Sequence, residues 1–120
     1  MPLTLTHAIV EAAYEYLRAT PPFRGWRLPH ADEVEFGITR HRDRYADHTT
    51  YYRTANHVIR VSAPNVKTTD MLMQTLAHEM IHERMELTKT ASRKVDHNAE
   101  FKRLAGVVCR AHGWDVRLFV

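Results

Sequence analysis

The sequence predicts an α+β fold, with an N-terminal helix, a small antiparallel sheet of about three strands, and two packed helices. Three observations support it. Apolar residues recur at helical spacing near the N-terminus, β-branched and aromatic residues are frequent over residues 34–63, and helical periodicity returns near residue 69. Because the chain has 120 residues and 44% hydrophobic content, we expect one domain over residues 1–120.

The first helix is predicted between two clear boundaries. Thr4 or Thr6 can cap its start, and the pair Pro21 and Pro22 ends it, because proline lacks the amide hydrogen that a helix needs. Its apolar positions are Leu3, Ile9, Val10, Ala13 and Leu17, with Tyr14 and Tyr16 nearby.

The middle of the chain predicts two or three antiparallel strands. The stretches VEFGITR, DHTTYYRTA and HVIRVSA are rich in β-branched and aromatic residues, and Val34, Phe36 and Ile38 alternate onto one face. That face is expected to pack on helices. The last stretch, WDVRLFV, also alternates and is predicted to return to the sheet edge.

A helix that Thr68, Thr69 or Asp70 can cap is predicted to run to about Leu87. On it, His78 and His82 lie about 40° apart around the axis. The apolar positions on roughly the opposite side are Met73, Leu76, Met80 and Leu87.

This spacing is typical of a metal site. Two imidazoles one turn apart can occupy two corners of a Zn²⁺ tetrahedron, while the adjacent Glu79 accepts a proton from metal-activated water. A third protein ligand is then expected, and Glu86 and His97 are the two candidates. His97 is the better placed, at the head of a predicted helix 97–111 capped by Asp96, because that helix can fold back beside the first.

His97 also has a simpler interpretation that involves no metal. His97 begins an apolar stripe with Phe101, Leu104, Val108 and Ala111, and such a histidine is often a hydrogen-bonded core residue. The two histidine patterns together, on helices that can pack, favour a metal site.

The net charge of +3 permits contact with nucleic acid without requiring it. The cations that can line one sheet face or hairpin beside tyrosines are Arg40, Arg42, Arg44 and Arg53. The alternative is that they only keep a strand edge soluble. The single cysteine, Cys109, excludes an internal disulfide and is expected to be a small buried side chain.

The sequence contains no run of about 18 apolar residues and no basic leader followed by an apolar segment. We therefore expect a cytoplasmic protein without membrane contact.

Two stretches, His78-Glu79-Met80-Ile81-His82 and His97-Asn98-Ala99-Glu100-Phe101, resemble the motifs of SprT-like domains. That family includes the Spartan-type proteases that act on DNA–protein crosslinks, and its usual form is H-E-M-I-H, a connector, and H-G-x-E-F. Here Asn98-Ala99 stands where Gly-Pro is frequent, and the sequence holds no Cys-rich zinc ribbon.

The resemblance implies a zincin-like arrangement with one Zn²⁺ per chain. It assigns His78, His82 and His97 as zinc ligands and Glu79 as the general base of an endopeptidase acting on DNA-associated proteins. The main alternative is a metal-stabilised module that binds nucleic acid or protein and has only vestigial protease activity. Two others are a metallopeptidase of another family that uses Glu86 as a ligand, and a purely structural protein.

Overall fold

The computed structural model describes residues 3–51 and 56–119. The described elements, in chain order, are α1 (His7–Arg18), β1 (Val34–Thr39), β2 (Ala46–Tyr51), β3 (Asn56–Ser62), α2 (Thr69–Thr88) and α3 (Ala99–His112). Short 3-10 turns, Phe23–Gly25 and Ala31–Glu33, lie between α1 and β1. The predicted α+β class is confirmed.

The sheet is mixed, and the prediction of antiparallel strands throughout is wrong. Its strand order is β1-β3-β2, with β2 antiparallel and β1 parallel to β3. Residues 40–45 carry the chain from one edge of the sheet to the other, so β1 and β2 do not form a hairpin. Alternation identifies a strand and its faces, whereas the order of strands depends on which neighbours pack together.

The predicted inner face of the sheet is confirmed for Val34, which belongs to the core, and for Phe36, which packs against it, whereas Ile38 is half-buried. Phe36 is paired with Ile59 and Ile38 with Val61, and the buried core includes Ile59 and Val61 together with residues of α1 and α2. In the central strand β3, the adjacent residues Val58 and Ile59 point to opposite faces and are both buried. This explains why the sequence alternates poorly there.

Helix α2 is the central element, because it contacts α1, the sheet and α3. Thr68 caps it by accepting a hydrogen bond from the Met71 amide, and Lys89 ends it in a left-handed conformation. Leu87, predicted to lie on the packed side, is 44% exposed. The prediction assumed one apolar side, but the helix is covered on several sides; its buried residues are Leu72, Thr75, Leu76, Ala77, Glu79, Met80, Ile81, Glu83 and Met85.

Helix α3 begins two residues later than predicted. Asn98, rather than Asp96, is its cap, since the Asn98 side chain accepts a hydrogen bond from the Phe101 amide at 3.0 Å. His97 therefore lies in the connector just before the helix. Cys109 is buried in α3 as expected.

Over residues 114–119, the described part of the predicted C-terminal strand, no strand is formed. Residues 116–118 are in turns, and the Phe119 ring stacks with Trp114 at a centroid distance of 6.0 Å instead of pairing with the sheet. Among the residues described, no helix combines the length and hydrophobicity needed to cross a bilayer.

Candidate metal centre

Three histidine side chains meet where α2 passes the start of α3. His78 and His82 lie one turn apart on α2, and His97 reaches them from the connector before α3. One ring nitrogen from each lies within 4.8 Å of the others. The structure thus brings together the three histidines that the sequence singled out.

The donor set suits a zinc ion. Catalytic zinc is commonly held by three neutral imidazoles at about 2.0–2.1 Å, which separates tetrahedral ligands by about 3.3 Å. The three ring centroids lie 4.8–5.3 Å apart, so small ring rotations can aim the nitrogens at one point. Burial lowers the pKa of His82, which keeps its ring in the neutral form that binds metal.

Phe101 forms the floor of the cluster. Its ring centroid lies 4.2 Å from that of His97, with the two planes only 13° apart. The same ring lies 4.7 Å from His82 and 4.9 Å from His78. A single side chain of α3 therefore packs against all three imidazoles and limits their rotation.

Asp96 adds a negative charge at the outer side of the cluster. Its carboxylate oxygens lie 3.4 Å from His97 Nε2 and 3.9 Å from His82 Nδ1. An acidic group beside histidine ligands orients the rings and raises their basicity. Asp96, predicted to be a helix cap, instead faces this cluster.

Glu79 lies next to His78 on the same helix and is only 6% exposed. Burial, followed by the negative charges of Asp47 and Asp96, raises the pKa of Glu79 to about 8. A carboxyl group with such a pKa can both accept and release a proton near neutral pH. A cation held by the histidines would lower this pKa again.

The three histidines, Asp96 and Glu79 line one open pocket of about 540 Å³. Besides the histidines and Glu79, its lining residues are Asp43, Arg44, Ala46, Asp47, His48, Glu86, Ala91, Ser92 and Asp96. Glu86, the other candidate for third ligand, lines the pocket but is outside the group of atoms that could share an ion; His97 is inside it.

Three of the four arginines considered for nucleic-acid binding lie on a loop rather than on a sheet face. Arg40, Arg42 and Arg44 are exposed within residues 40–45, and Arg53 lies outside the described residues. Arg44 is paired with Asp43 at 3.1 Å and with Asp47 at 3.7 Å, so part of its charge is neutralised. For Arg40, Arg42 and Arg44, the expected position on a sheet face or hairpin is therefore wrong, because residues 40–45 join β1 and β2, which do not pair with each other.

Sequence reasoning missed a second polar cluster beside the pocket, made of His48, His57 and Glu83. Burial lowers the pKa of His48 to about 3 and raises that of Glu83 to about 7. Glu83 Oε1 lies 2.8 Å from the Tyr14 hydroxyl, and burial, followed by the charge of Glu83, raises the pKa of Tyr14. The sequence did show a histidine in each of two predicted strands. Whether these two side chains meet depends on the strand register, which the alternation of residues does not predict.

The comparisons with known proteins bear on these residues. A comparison with curated proteins finds no match. The model of the SprT-like family matches residues 22–117, which include all of α2 and α3 and most of the chain. This chain, with its metal-compatible cluster of three histidines, therefore belongs to the SprT-like family.

Proposed function

We propose that this protein is a zinc-dependent endopeptidase. The observation that carries the proposal is the meeting of three imidazoles from α2 and the connector before α3 beside the buried carboxyl group of Glu79. Membership of the SprT-like family, which is linked to metallopeptidase-like chemistry, supports it.

His78, His82 and His97 would hold the ion through one ring nitrogen each. A bound Zn²⁺ supplies Lewis-acid chemistry, polarising a water molecule and the carbonyl group of the scissile peptide. Phe101 and Asp96 position the rings, Phe101 by packing and Asp96 by its charge. The cluster thus combines ligands with the groups that orient them.

Glu79 has the properties of the general base. It would accept a proton from the attacking water and pass that proton to the nitrogen of the departing amine. The same carboxyl group would thus act first as general base and then as general acid. Its burial strengthens this role, because a desolvated carboxylate binds a proton more tightly than an exposed one.

The substrate we propose is an extended segment of a DNA-associated protein. Strand β2 lies at one edge of the sheet beside α2, and an unpaired strand edge can bind an extended peptide through main-chain hydrogen bonds. The exposed Arg40 and Arg42 lie on the loop whose next residues line the pocket, where they can contact DNA phosphates near the substrate.

The decisive experiment compares wild type with Glu79→Gln on a labelled unfolded protein, with and without DNA. We expect Glu79→Gln to retain zinc and to lose at least about 100-fold in cleavage rate, the usual scale for removing a general base. The matched control, Glu11→Gln on the exposed face of α1, should cleave like wild type.

The opposite outcome is also informative. Stoichiometric zinc without cleavage of any substrate, with or without DNA, would overturn the protease assignment and leave the metal-stabilised binding module. Zinc retained in His97→Ala but lost in Glu86→Ala would instead overturn the ligand assignment.

A further inference from the structure

A second group of potential ligands shares no residue with the three histidines already described. It consists of His48 on β2, His57 on β3 and Glu83 on α2, and one ligand atom from each lies within 4.8 Å of the others. His48 Nε2 is 3.0 Å from His57 Nδ1, and His57 Nδ1 is 3.9 Å from Glu83 Oε2.

The register of the sheet explains why these side chains meet. Thr50 is paired directly with His57, and His48 lies two residues earlier on the same face of β2. Side chains at such diagonal positions are within reach of each other across antiparallel strands. The face they share is turned towards α2, from which Glu83 completes the group.

Glu83 provides the observation that points to a ligand. Its side chain is fully buried, and Tyr14 holds its Oε1 atom by a hydrogen bond of 2.8 Å. Within residues 3–51 and 56–119, the second oxygen, Oε2, has no hydrogen-bond partner, and it faces His57. A buried carboxyl oxygen without a partner is costly, and a bound cation would satisfy it.

The donor chemistry of these three side chains suits Zn²⁺. Two imidazole nitrogens and one carboxylate oxygen form a known zinc-binding set, with metal–ligand distances of about 2.0–2.2 Å. We propose that His48, His57 and Glu83 form a second zinc site, which ties the edge strand β2 and the central strand β3 to α2. The two rings share one hydrogen bond, and the Thr50 hydroxyl lies 3.3 Å from His57 Nδ1.

This site shares no ligand with the cluster of His78, His82 and His97. Glu83 follows His82 in sequence but projects about 100° further round the helix, so the two groups of ligands leave α2 in different directions, although His48 also lines the pocket of the three histidines. The second ion would have a structural role, since it would join three elements of the scaffold that carries the pocket. The inference is independent of the proposed protease activity.

The test is metal analysis after chelator treatment and equilibration in buffered Zn²⁺. We expect two zinc ions per wild-type chain and one in the variant His78→Ala/His97→Ala, which leaves the first site a single imidazole. His48→Gln and Glu83→Gln are single substitutions at the second site. Each of these variants should also bind one zinc ion per chain. Thr50→Val, which removes a neighbouring hydroxyl but no ligand, should keep both ions.

A second measurement guards against variants that fold poorly. The His78→Ala/His97→Ala variant should melt at least about 4 °C higher when Zn²⁺ is added, because an ion that binds only the folded state stabilises it. One zinc per wild-type chain that disappears in this variant, or an unchanged melting temperature, would overturn the inference. A second ion that persists in both His48→Gln and Glu83→Gln would also overturn it, since that ion would lie elsewhere on the surface.

Discussion

Phe101 stacks on His97, the one histidine of the cluster that does not lie on α2, with ring centroids 4.2 Å apart. His97 is exposed and lies in a connector without regular structure, so the floor provided by Phe101 is a main restraint on its ring. The orientation of the His97 ring in the candidate metal centre therefore depends on an apolar residue that binds no metal.

We predict that Phe101→Leu weakens zinc binding at this centre by about 10-fold, the lower end of the range for groups that orient metal ligands. Leucine keeps the position apolar but cannot stack on His97. Competition with a chromophoric chelator would measure the affinity.

Val108→Ala is the matched control, because Val108 is fully buried in α3 about two turns beyond Phe101 and has no ring to stack on His97. It should lower the free energy of unfolding by about 1–3 kcal/mol without changing zinc affinity. Equal losses of affinity in the two variants would show that general stability, and not the stacking, controls binding.

Asn98 links the connector to α3 through both ends of its amide. Its Oδ1 accepts a hydrogen bond from the Phe101 amide, and its Nδ2 donates one to the Thr90 carbonyl, each at 3.0 Å. We predict that Asn98→Ala lowers the free energy of unfolding by about 1 kcal/mol, as measured by urea denaturation, because it removes a helix cap.

Asn98→Asp separates the two interactions, since aspartate keeps the capping oxygen and removes the donor to Thr90. It should retain most of the stability while loosening the connector that carries His97. If Asn98→Asp were as unstable as Asn98→Ala, the capping interaction would not be the stabilising one.

His112 predicts a dependence of stability on pH. Burial lowers its pKa, partly offset by a hydrogen bond to the backbone of Pro21. Between this lowered pKa and the ordinary value near 6.5, the unfolded chain binds more protons than the folded one. The contribution of His112 to stability is therefore present above pH 6.5 and is lost as the pH falls through the folded pKa.

In His112→Phe, melting of the metal-free protein should change less between pH 7.5 and pH 5 than in wild type. Thr20→Val tests the cause, because Thr20 Oγ1 lies 3.2 Å from His112 Nε2 but does not titrate. Its effect on stability should depend little on pH. Parallel pH curves for wild type and His112→Phe would contradict the assignment.

Local features of the sequence predicted the helices, and they singled out the three histidines that the structure brings together. The helical spacing of His78 and His82 follows from 3.6 residues per turn, and caps such as Thr6 and Thr68 mark helix starts through hydrogen bonds within three residues. Asn98 in place of Asp96 shows the limit of this reasoning, since two side chains able to cap stood two residues apart.

What the sequence by itself determined is the set of interactions that act over one or two turns: helices, their caps and the pairing of His78 with His82. Only the tertiary structure decided the parallel pairing of β1 with β3, the burial of Glu83 and the meeting of His48 with His57. These depend on contacts between residues far apart in the chain. Such contacts are selected by the packing of whole elements around α2, and no local pattern of residues encodes them.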